Sequence, residues 1–186
     1  MKKDDLFLVI DMQNVYKKGG KWECENTENS AKNIKKILNS GIKNVIFTQF
    51  IANEKNPFGV WKNYNSEYSD VNKDEYANKM INEFSEYLKK FPLCTKSVYS
   101  SLSIKKVKKA AKKAKQIVIS GVIEECCVLS TIFALIDEGV YIIYLTDAIS
   151  GLTKQKEDAT KLILSGLCPL HLKMMTTEEY LNSKLH

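Results

Sequence analysis

The sequence contains no arginine, because all 28 of its basic residues are lysines, set against 22 acidic residues for a net charge of +6. The planar guanidinium of arginine is the usual side chain for paired contacts to phosphates and base edges. Its absence argues against a nucleic-acid partner, and lysine runs usually form a solvated surface. We therefore expect a lysine-covered surface that does not bind nucleic acid.

Histidine and paired cysteines are also scarce. The two histidines, His171 and His186, both lie near the C-terminus, and the five cysteines include no Cys-x-x-Cys pair. This pattern fits neither a zinc finger nor the disulfide framework of a small secreted protein. Unpaired thiols are typical of a reducing compartment, so we predict a cytoplasmic protein.

No apolar run approaches the length of a membrane span, and Met1–Asp5 leads into a strand without the apolar region of a signal peptide. We therefore expect no membrane partner. With 186 residues, 44% of them hydrophobic and 27% charged, the composition is that of an ordinary globular protein. A single domain over residues 1–186 is expected at this length.

Short apolar, β-branched segments alternate with amphipathic ones along the chain. The predicted strands are 6–10, 45–48, 117–123, 141–145 and 171–175, and the predicted helices are 27–39, 74–91, 104–116, 128–137 and 154–167. The capping-box spacing of Thr176 and Glu179 predicts one more short helix. Gln49–Val71 has no clear period, which is typical of a binding loop. Alternating strands and helices predict a three-layer α/β/α domain with a mostly parallel, doubly wound sheet.

The strongest chemical signal lies at the end of the third predicted strand. Gly121, two glutamates and the pair Cys126–Cys127 join this strand to an apolar helix. A thiol in the first turn of a helix lies near free N–H groups and the positive end of the helix dipole, which favour the nucleophilic thiolate. Open α/β sheets bind ligands at the carboxyl ends of their strands. We therefore predict that Cys127 is a nucleophile.

Other candidate residues are weaker when each is taken alone. Asp11 follows the first strand, although an aspartate in this position is often only a turn former or helix cap. Lys96 lies in a segment otherwise short of charge, although lone lysines are normally found on the surface. The aromatic residues Phe50, Trp61 and Tyr64 either line a pocket or anchor their loop to the core or to a partner subunit.

Taken together, three segments resemble the isochorismatase-like cysteine hydrolases, a superfamily that includes nicotinamidases, N-carbamoylsarcosine amidase and ureidoacrylate amidohydrolase. The matching segments are Val9–Asn14, Lys96–Ser100 and Gly121–Val128, and the resemblance extends over nearly the whole chain. It implies an isochorismatase-like, Rossmann-like fold. It also implies a homo-oligomer, either a dimer or a tetramer.

The resemblance further implies a catalytic triad of Asp11, Lys96 and Cys127. Asp11 would be the general base, Lys96 would hold its carboxylate and favour the thiolate, and Cys127 would form a thioester. A cis peptide is expected between Val122 and Ile123, with the N–H groups of Ile123 and Cys127 as the oxyanion hole. The substrate-pocket candidates are Gln13, Tyr16, Phe50, Trp61, Tyr64, Tyr99 and Glu124.

The sequence departs from the family pattern in three features. Nicotinamidases carry metal-binding histidines after the second strand, but Thr48–Trp61 contains none. We therefore expect no metal and no cofactor, and a place in the metal-free branch nearer N-carbamoylsarcosine amidase. Glu124 replaces the family's usual Thr or Ser, where it could select a cationic substrate or, unless it turns outward, raise the pKa of Cys127. Its neighbour Cys126 is expected to be a small buried hydrophobe.

These features predict a metal-independent amidohydrolase that cleaves the C–N bond of a small amide or carbamoyl compound through a thioester. Two alternatives stay open. One is hydrolysis of a vinyl ether, as in isochorismatase, although that chemistry needs no thiol. The other is a catalytically silent family member that serves as a binding subunit.

Overall fold

The computed structural model describes residues 4–184. Residues 1–3 and His186, which were named above, lie outside this described part. One sheet contains all the named strands: β1 (Leu6–Ile10), β2 (Val45–Phe50), β3 (Leu93–Lys96), β4 (Ile117–Val122), β5 (Ile142–Ser150) and β6 (Leu172–Met175). Its order is β3-β2-β1-β4-β5-β6, and every neighbouring pair is parallel. The chain starts in the centre and winds outward to both edges, which confirms the predicted doubly wound sheet.

Helices connect the strands and cover the sheet. They are α1 (Thr27–Asn39), α2 (Trp61–Glu67), α3 (Ser69–Lys73), α4 (Glu75–Asn78), α5 (Ser85–Leu88), α6 (Lys105–Ala111), α7 (Leu129–Asp137), α8 (Lys154–Ser165) and α9 (Thr177–Asn182). Within residues 4–184, none of the helices combines the length and the apolar character that crossing a membrane requires.

The central strand β1 is buried on both faces, which explains its unbroken apolar sequence. Phe7 and Val9 pack in the core on the side of α1 and α9, whereas Leu8 and Ile10 pack in a second core with α6, α7 and α8. Because successive side chains of a strand point to opposite faces, these two cores are the two interfaces of a three-layer α/β/α domain.

The prediction of one continuous helix over residues 74–91 is wrong. Only α4, a short 3₁₀ turn and α5 form there, and Met80 makes an antiparallel bridge to Gln13. The N–H of Ile81 donates to Met12 O at 2.9 Å, and the N–H of Asn14 donates to Lys79 O at 2.9 Å. These bonds need an extended chain around Met80, so tertiary contacts override the helical spacing of the aromatic residues.

Other elements differ from prediction in extent. The segment predicted to be irregular contains α2 and α3, and β3 was not assigned from the sequence. Strand β5 continues to Ser150, five residues beyond the predicted end. The capping box of Thr176 and Glu179 is present at the start of α9 and confirms the predicted terminal helix.

Candidate active site

The predicted site residues converge at the carboxyl ends of the central strands. Strands β1 and β4 are neighbours from which the chain winds out in opposite directions, and such a switch point leaves a crevice in a doubly wound sheet. Asp11 follows β1 directly, and Lys96 is the last residue of β3. A π-helical turn, Glu124–Val128, follows β4 and contains Cys127. We call this segment the cysteine turn.

Gly121 permits a close approach of the backbones of β4 and β1. Its φ is +110°, and a Cβ atom there would lie 2.0 Å from the carbonyl oxygen of Ile10. Only glycine tolerates both this conformation and this contact. Asp11 itself has a φ of +51°, which is uncommon for a residue with a side chain and is typical of functional sites.

Asp11, Lys96 and Cys127 form one buried polar cluster. The Lys96 ammonium lies 2.5 Å from Asp11 Oδ2, and both side chains are completely buried. The same ammonium donates to Cys127 Sγ at 3.2 Å and to Val98 O at 3.2 Å. The structure therefore brings the three predicted triad residues into direct contact, with Lys96 between the carboxylate and the sulfur.

The electrostatics of this cluster favour a neutral thiol at rest. Burial raises the pKa of Cys127 well above its usual range, Asp11 raises it further, and Lys96 lowers it. Burial lowers the pKa of Lys96, but Asp11 and Cys127 raise it by more, so the ammonium stays charged. The net direction for Cys127 is opposite to the one expected from a helix N-terminus, because only 3% of Cys127 is exposed.

Two threonines that the sequence arguments did not assign to the site support it. The hydroxyl of Thr48, on β2, donates to Asp11 Oδ1 at 2.7 Å. The hydroxyl of Thr131, on α7, donates to Cys127 O at 2.6 Å and accepts from the N–H of Ser101 at 3.0 Å. A hydroxyl residue at the carboxyl end of the strand beside Asp11 is the signal that could have identified Thr48.

The backbone around the cysteine turn is tightly bonded. The peptide between Val122 and Ile123 is cis. The carbonyl of Ile123 accepts hydrogen bonds from the N–H groups of Cys126 at 3.2 Å and Val128 at 3.1 Å. Cys127 thus lies inside a constrained turn that begins just after Ile123, and the N–H groups of these two residues were predicted to form the oxyanion hole.

Four of the predicted pocket residues form a cover over the cluster, namely Phe50, Trp61, Tyr64 and Tyr99. The Trp61 ring centroid is 5.0 Å from that of Tyr99 and 6.0 Å from that of Phe50. The Phe50 ring centroid lies 5.5 Å from Lys96 Nζ, a cation–π contact. We call these four rings the aromatic cover. The rings contact one another, and only 3% of Cys127 is exposed in this structure.

Two other predicted pocket residues are buried beside the site. Tyr16 is stacked against Trp22, with ring centroids 6.0 Å apart. The Gln13 side-chain amide donates to Phe50 O at 3.0 Å and to Asn78 O at 2.8 Å, and it accepts from the Phe50 N–H at 2.8 Å. Gln13 therefore uses its polar atoms to hold the backbone that carries Phe50.

Glu124, the remaining pocket candidate, turns toward β5 and α8. Its Oε1 accepts a hydrogen bond from the Tyr144 hydroxyl at 2.6 Å, and its Oε2 lies 3.9 Å from the ammonium of Lys161. Neighbouring Cys126 is partly buried. Over residues 4–184, no group of three or more His, Cys, Asp or Glu side chains could hold a metal ion, and His171 is exposed.

The general class of this protein is thus an all-parallel, doubly wound α/β domain with a buried cysteine, lysine and aspartate at its switch point. The profile of the isochorismatase domain matches residues 5–179, nearly the whole chain. The chain therefore belongs to the isochorismatase family of hydrolases. No curated protein sequence matches it at a significant level.

Several solved structures share the fold. A cysteine hydrolase from Pseudomonas syringae pv. phaseolicola has a TM-score of 0.79 and 18% identity, with 96% of this chain and 91% of that one covered. An isochorismatase-like hydrolase from Alkaliphilus metalliredigens has a TM-score of 0.75 and 18% identity, covering 97% and 98%. A pyrazinamidase/nicotinamidase from Streptococcus mutans has a TM-score of 0.71 and 15% identity, covering 91% and 100%. At these identities the likeness establishes a common fold.

Proposed function

We propose that the protein is an amidohydrolase that cleaves the C–N bond of a small amide or carbamoyl compound, with Cys127 as its nucleophile. The observation that carries this proposal is the buried contact of Lys96 with both Asp11 and Cys127, at 2.5 Å and 3.2 Å. A buried ion pair is weak evidence for stability, since desolvation offsets much of its attraction. Its place beside a thiol at the switch point supports a catalytic role.

The first half of the reaction uses Asp11 as the base. Because the Cys127 thiol is neutral at rest, its proton must leave as the sulfur attacks. Asp11 accepts this proton, Sγ bonds to the substrate carbonyl carbon, and the carbonyl oxygen becomes an oxyanion facing the N–H groups of Ile123 and Cys127. Asp11 then returns the proton to the departing nitrogen as the C–N bond breaks, which leaves a thioester.

The second half releases the acid. Asp11 takes a proton from a water molecule, whose oxygen attacks the thioester carbon, and the sulfur departs and regains a proton from Asp11. Lys96 stays charged throughout and holds the carboxylate in place. Over the whole cycle, one amide and one water give one acid and one amine.

We also propose that the chain belongs to the metal-free branch of its family. Thr48–Trp61 contains no histidine, whereas the nicotinamidases place their metal-binding histidines after the corresponding strand. The position instead supplies Phe50 and Trp61 to the aromatic cover, which fits a substrate held by apolar contact.

The aromatic cover also supports a second candidate, a catalytically silent subunit. Only 3% of Cys127 is exposed beneath rings that contact one another. An active enzyme must move this cover to admit a substrate, whereas a silent one need not.

The test is ammonia release from a panel of small primary amides and N-carbamoyl compounds. We expect turnover by the wild type, none by Cys127→Ala, and near wild-type turnover by the matched control Cys126→Ala. An acid quench during turnover should show the acyl group attached to Cys127 by mass spectrometry.

Two outcomes would contradict the proposal. Turnover of isochorismate that survives Cys127→Ala would favour vinyl-ether hydrolysis. Absence of turnover, with Cys127 still inert to iodoacetamide after Trp61→Ala has opened the aromatic cover, would favour the silent subunit.

A further inference from the structure

Glu124 is a fully buried carboxyl group at the start of the cysteine turn, three residues before Cys127. It takes no part in the mechanism above. Through its side chain, the cysteine turn is joined to β5 by the Tyr144 hydroxyl at 2.6 Å and to α8 by Lys161 at 3.9 Å. A change at this carboxyl group therefore acts on the segment that carries the nucleophile.

The groups that face Glu124 come from three elements. Tyr144 lies on β5, Lys161 and Glu157 lie on α8, and Glu125 is its neighbour in the cysteine turn. Lys161 is shared, because its ammonium also lies 3.5 Å from Glu157 Oε2. Glu157 is itself held by the N–H of Gly151, which donates to Oε1 at 2.9 Å. One partly exposed lysine thus serves two buried carboxyl groups.

This environment places the titration of Glu124 in the neutral range. Burial raises its pKa to about 7, while the Tyr144 hydrogen bond and the charge of Lys161 lower it and the charges of Glu157 and Glu125 raise it. Both protonation states are therefore populated near neutral pH.

We propose that Glu124 is a positioning residue whose ionised carboxylate, bound by Tyr144 and Lys161, fixes the cysteine turn and makes Cys127 most reactive. The proposal rests on the role of Cys127 as nucleophile that we proposed above. It predicts that reactivity falls as Glu124 gains a proton.

The physical reason is the difference in strength between the contacts of the two forms. An ionised carboxylate accepts a charge-assisted hydrogen bond from Tyr144 and attracts Lys161, whereas a neutral acid keeps only a weaker hydrogen bond. Among residues 4–184, no group hydrogen-bonds to Oε2, so its link to Lys161 is one of charge, which a proton on Oε2 removes. Protonation thus loosens the link of the turn to β5 and α8.

The experiment measures the rate at which iodoacetamide modifies Cys127. Mass spectrometry follows the modification from about pH 5.5 to 8.5, without denaturant and without substrate. The wild type is compared with Glu124→Gln, which can still accept the Tyr144 hydrogen bond. Below about pH 6.5 the wild-type rate should fall up to tenfold more per pH unit than the rate of the variant, since one extra proton is bound. Above about pH 7.5 the two slopes should agree.

Two lysine variants separate positioning from a general loss of structure. Lys161→Met removes the cation that favours the ionised carboxylate. The pH below which the rate falls more steeply should therefore rise by about half a unit or more. Lys156→Met is the matched control on the same helix, because its ammonium lies 3.6 Å from Glu125 and is not a partner of Glu124. It should leave the pH at which the steeper fall begins unchanged.

The outcomes distinguish this proposal from the proposed function. Suppose that Cys127 reacts, but its labelling rate has the same pH dependence in the wild type and Glu124→Gln, or Lys161→Met leaves the pH of the steeper fall unchanged. Glu124 is then not a positioning residue, while the proposal that Cys127 is the nucleophile is unaffected. If Cys127 is inert in every variant, including one with Trp61→Ala, the proposed function fails and this inference fails with it.

Discussion

The site contains two buried carboxyl groups with the same kinds of partners in different arrangements. Asp11 has a completely buried lysine at 2.5 Å and a threonine hydroxyl at 2.7 Å. Glu124 has a lysine at 3.9 Å, 27% of whose side chain is exposed, and a tyrosine hydroxyl at 2.6 Å. A charge in direct contact offsets the cost of burial far better than a distant one that water screens. Asp11 thus has a charged partner in direct contact, whereas Glu124, with a pKa of about 7, titrates near neutral pH.

The largest expected effect comes from neutralising each group in turn. Asp11→Asn removes the proposed base, so hydrolysis of an amide substrate should fall on the order of 10²- to 10⁴-fold. Glu124→Gln at about pH 8 should lower the rate by less than tenfold, because it removes only a link of the turn. Steady-state kinetics with both variants check this, and equal losses would end the distinction between them.

The second comparison removes the lysines and measures stability. Lys96→Met leaves the Asp11 carboxylate buried without its partner, and we expect a loss of about 3–5 kcal/mol in the free energy of unfolding. Lys161→Met should cost about 1 kcal/mol or less, because its ammonium is partly exposed and more distant. Urea denaturation at pH 7 measures both. A Lys161→Met variant as unstable as Lys96→Met would contradict the comparison.

The third prediction concerns the pH dependence of stability that Glu124 causes. Its folded-state pKa of about 7 lies above the value of 4.5 expected for a free glutamate. A raised carboxyl pKa means that the folded state binds the proton more tightly, so the stabilisation is complete below the unfolded pKa and is lost as pH rises through 7. Relative to Glu124→Gln, the wild type should lose about 3 kcal/mol between about pH 4.5 and 8. Denaturant titrations across this range supply the difference, and a flat difference would mean that Glu124 does not titrate there.

The smallest effect is expected from the hydroxyl partners. Thr48→Val should cost about 2 kcal/mol, because the buried Asp11 Oδ1 loses its hydrogen bond. Tyr144→Phe should cost less at pH 6, where Glu124 is mostly neutral, and should approach the Thr48→Val cost by pH 8. Unfolding free energies at the two pH values decide this, with the opposite trend for Tyr144→Phe as the contrary result.

The difference between the two carboxyl groups was only partly visible in the sequence. Asp11 follows a buried strand directly and Cys127 lies in the turn after another, and the order of a doubly wound sheet places those strand ends together. Lys96 was identified by the family resemblance, since one lysine among many carries only a weak local signal. The partners Tyr144 and Lys161 depend on strand register and helix placement, which no local pattern specifies.

The failed helix over residues 74–91 has a similar cause. Its apolar residues do have helical spacing. The segment around Met80, however, is hydrogen-bonded to Met12 and Asn14, which lie much earlier in the chain. Local periodicity describes what a segment can do alone. The extended bridge to Gln13 depends on a partner that is distant in sequence, which local periodicity does not include.

The burial of Lys96 has a consequence for chemical footprinting. Among the lysines of residues 4–184, Lys96 alone is buried, and the sequence has no arginine to share the positive charge. A water-soluble acetylating reagent will therefore strip the surface of its charge while sparing one amine. The rate at which that amine is finally acetylated reports how often the centre of the molecule opens to solvent.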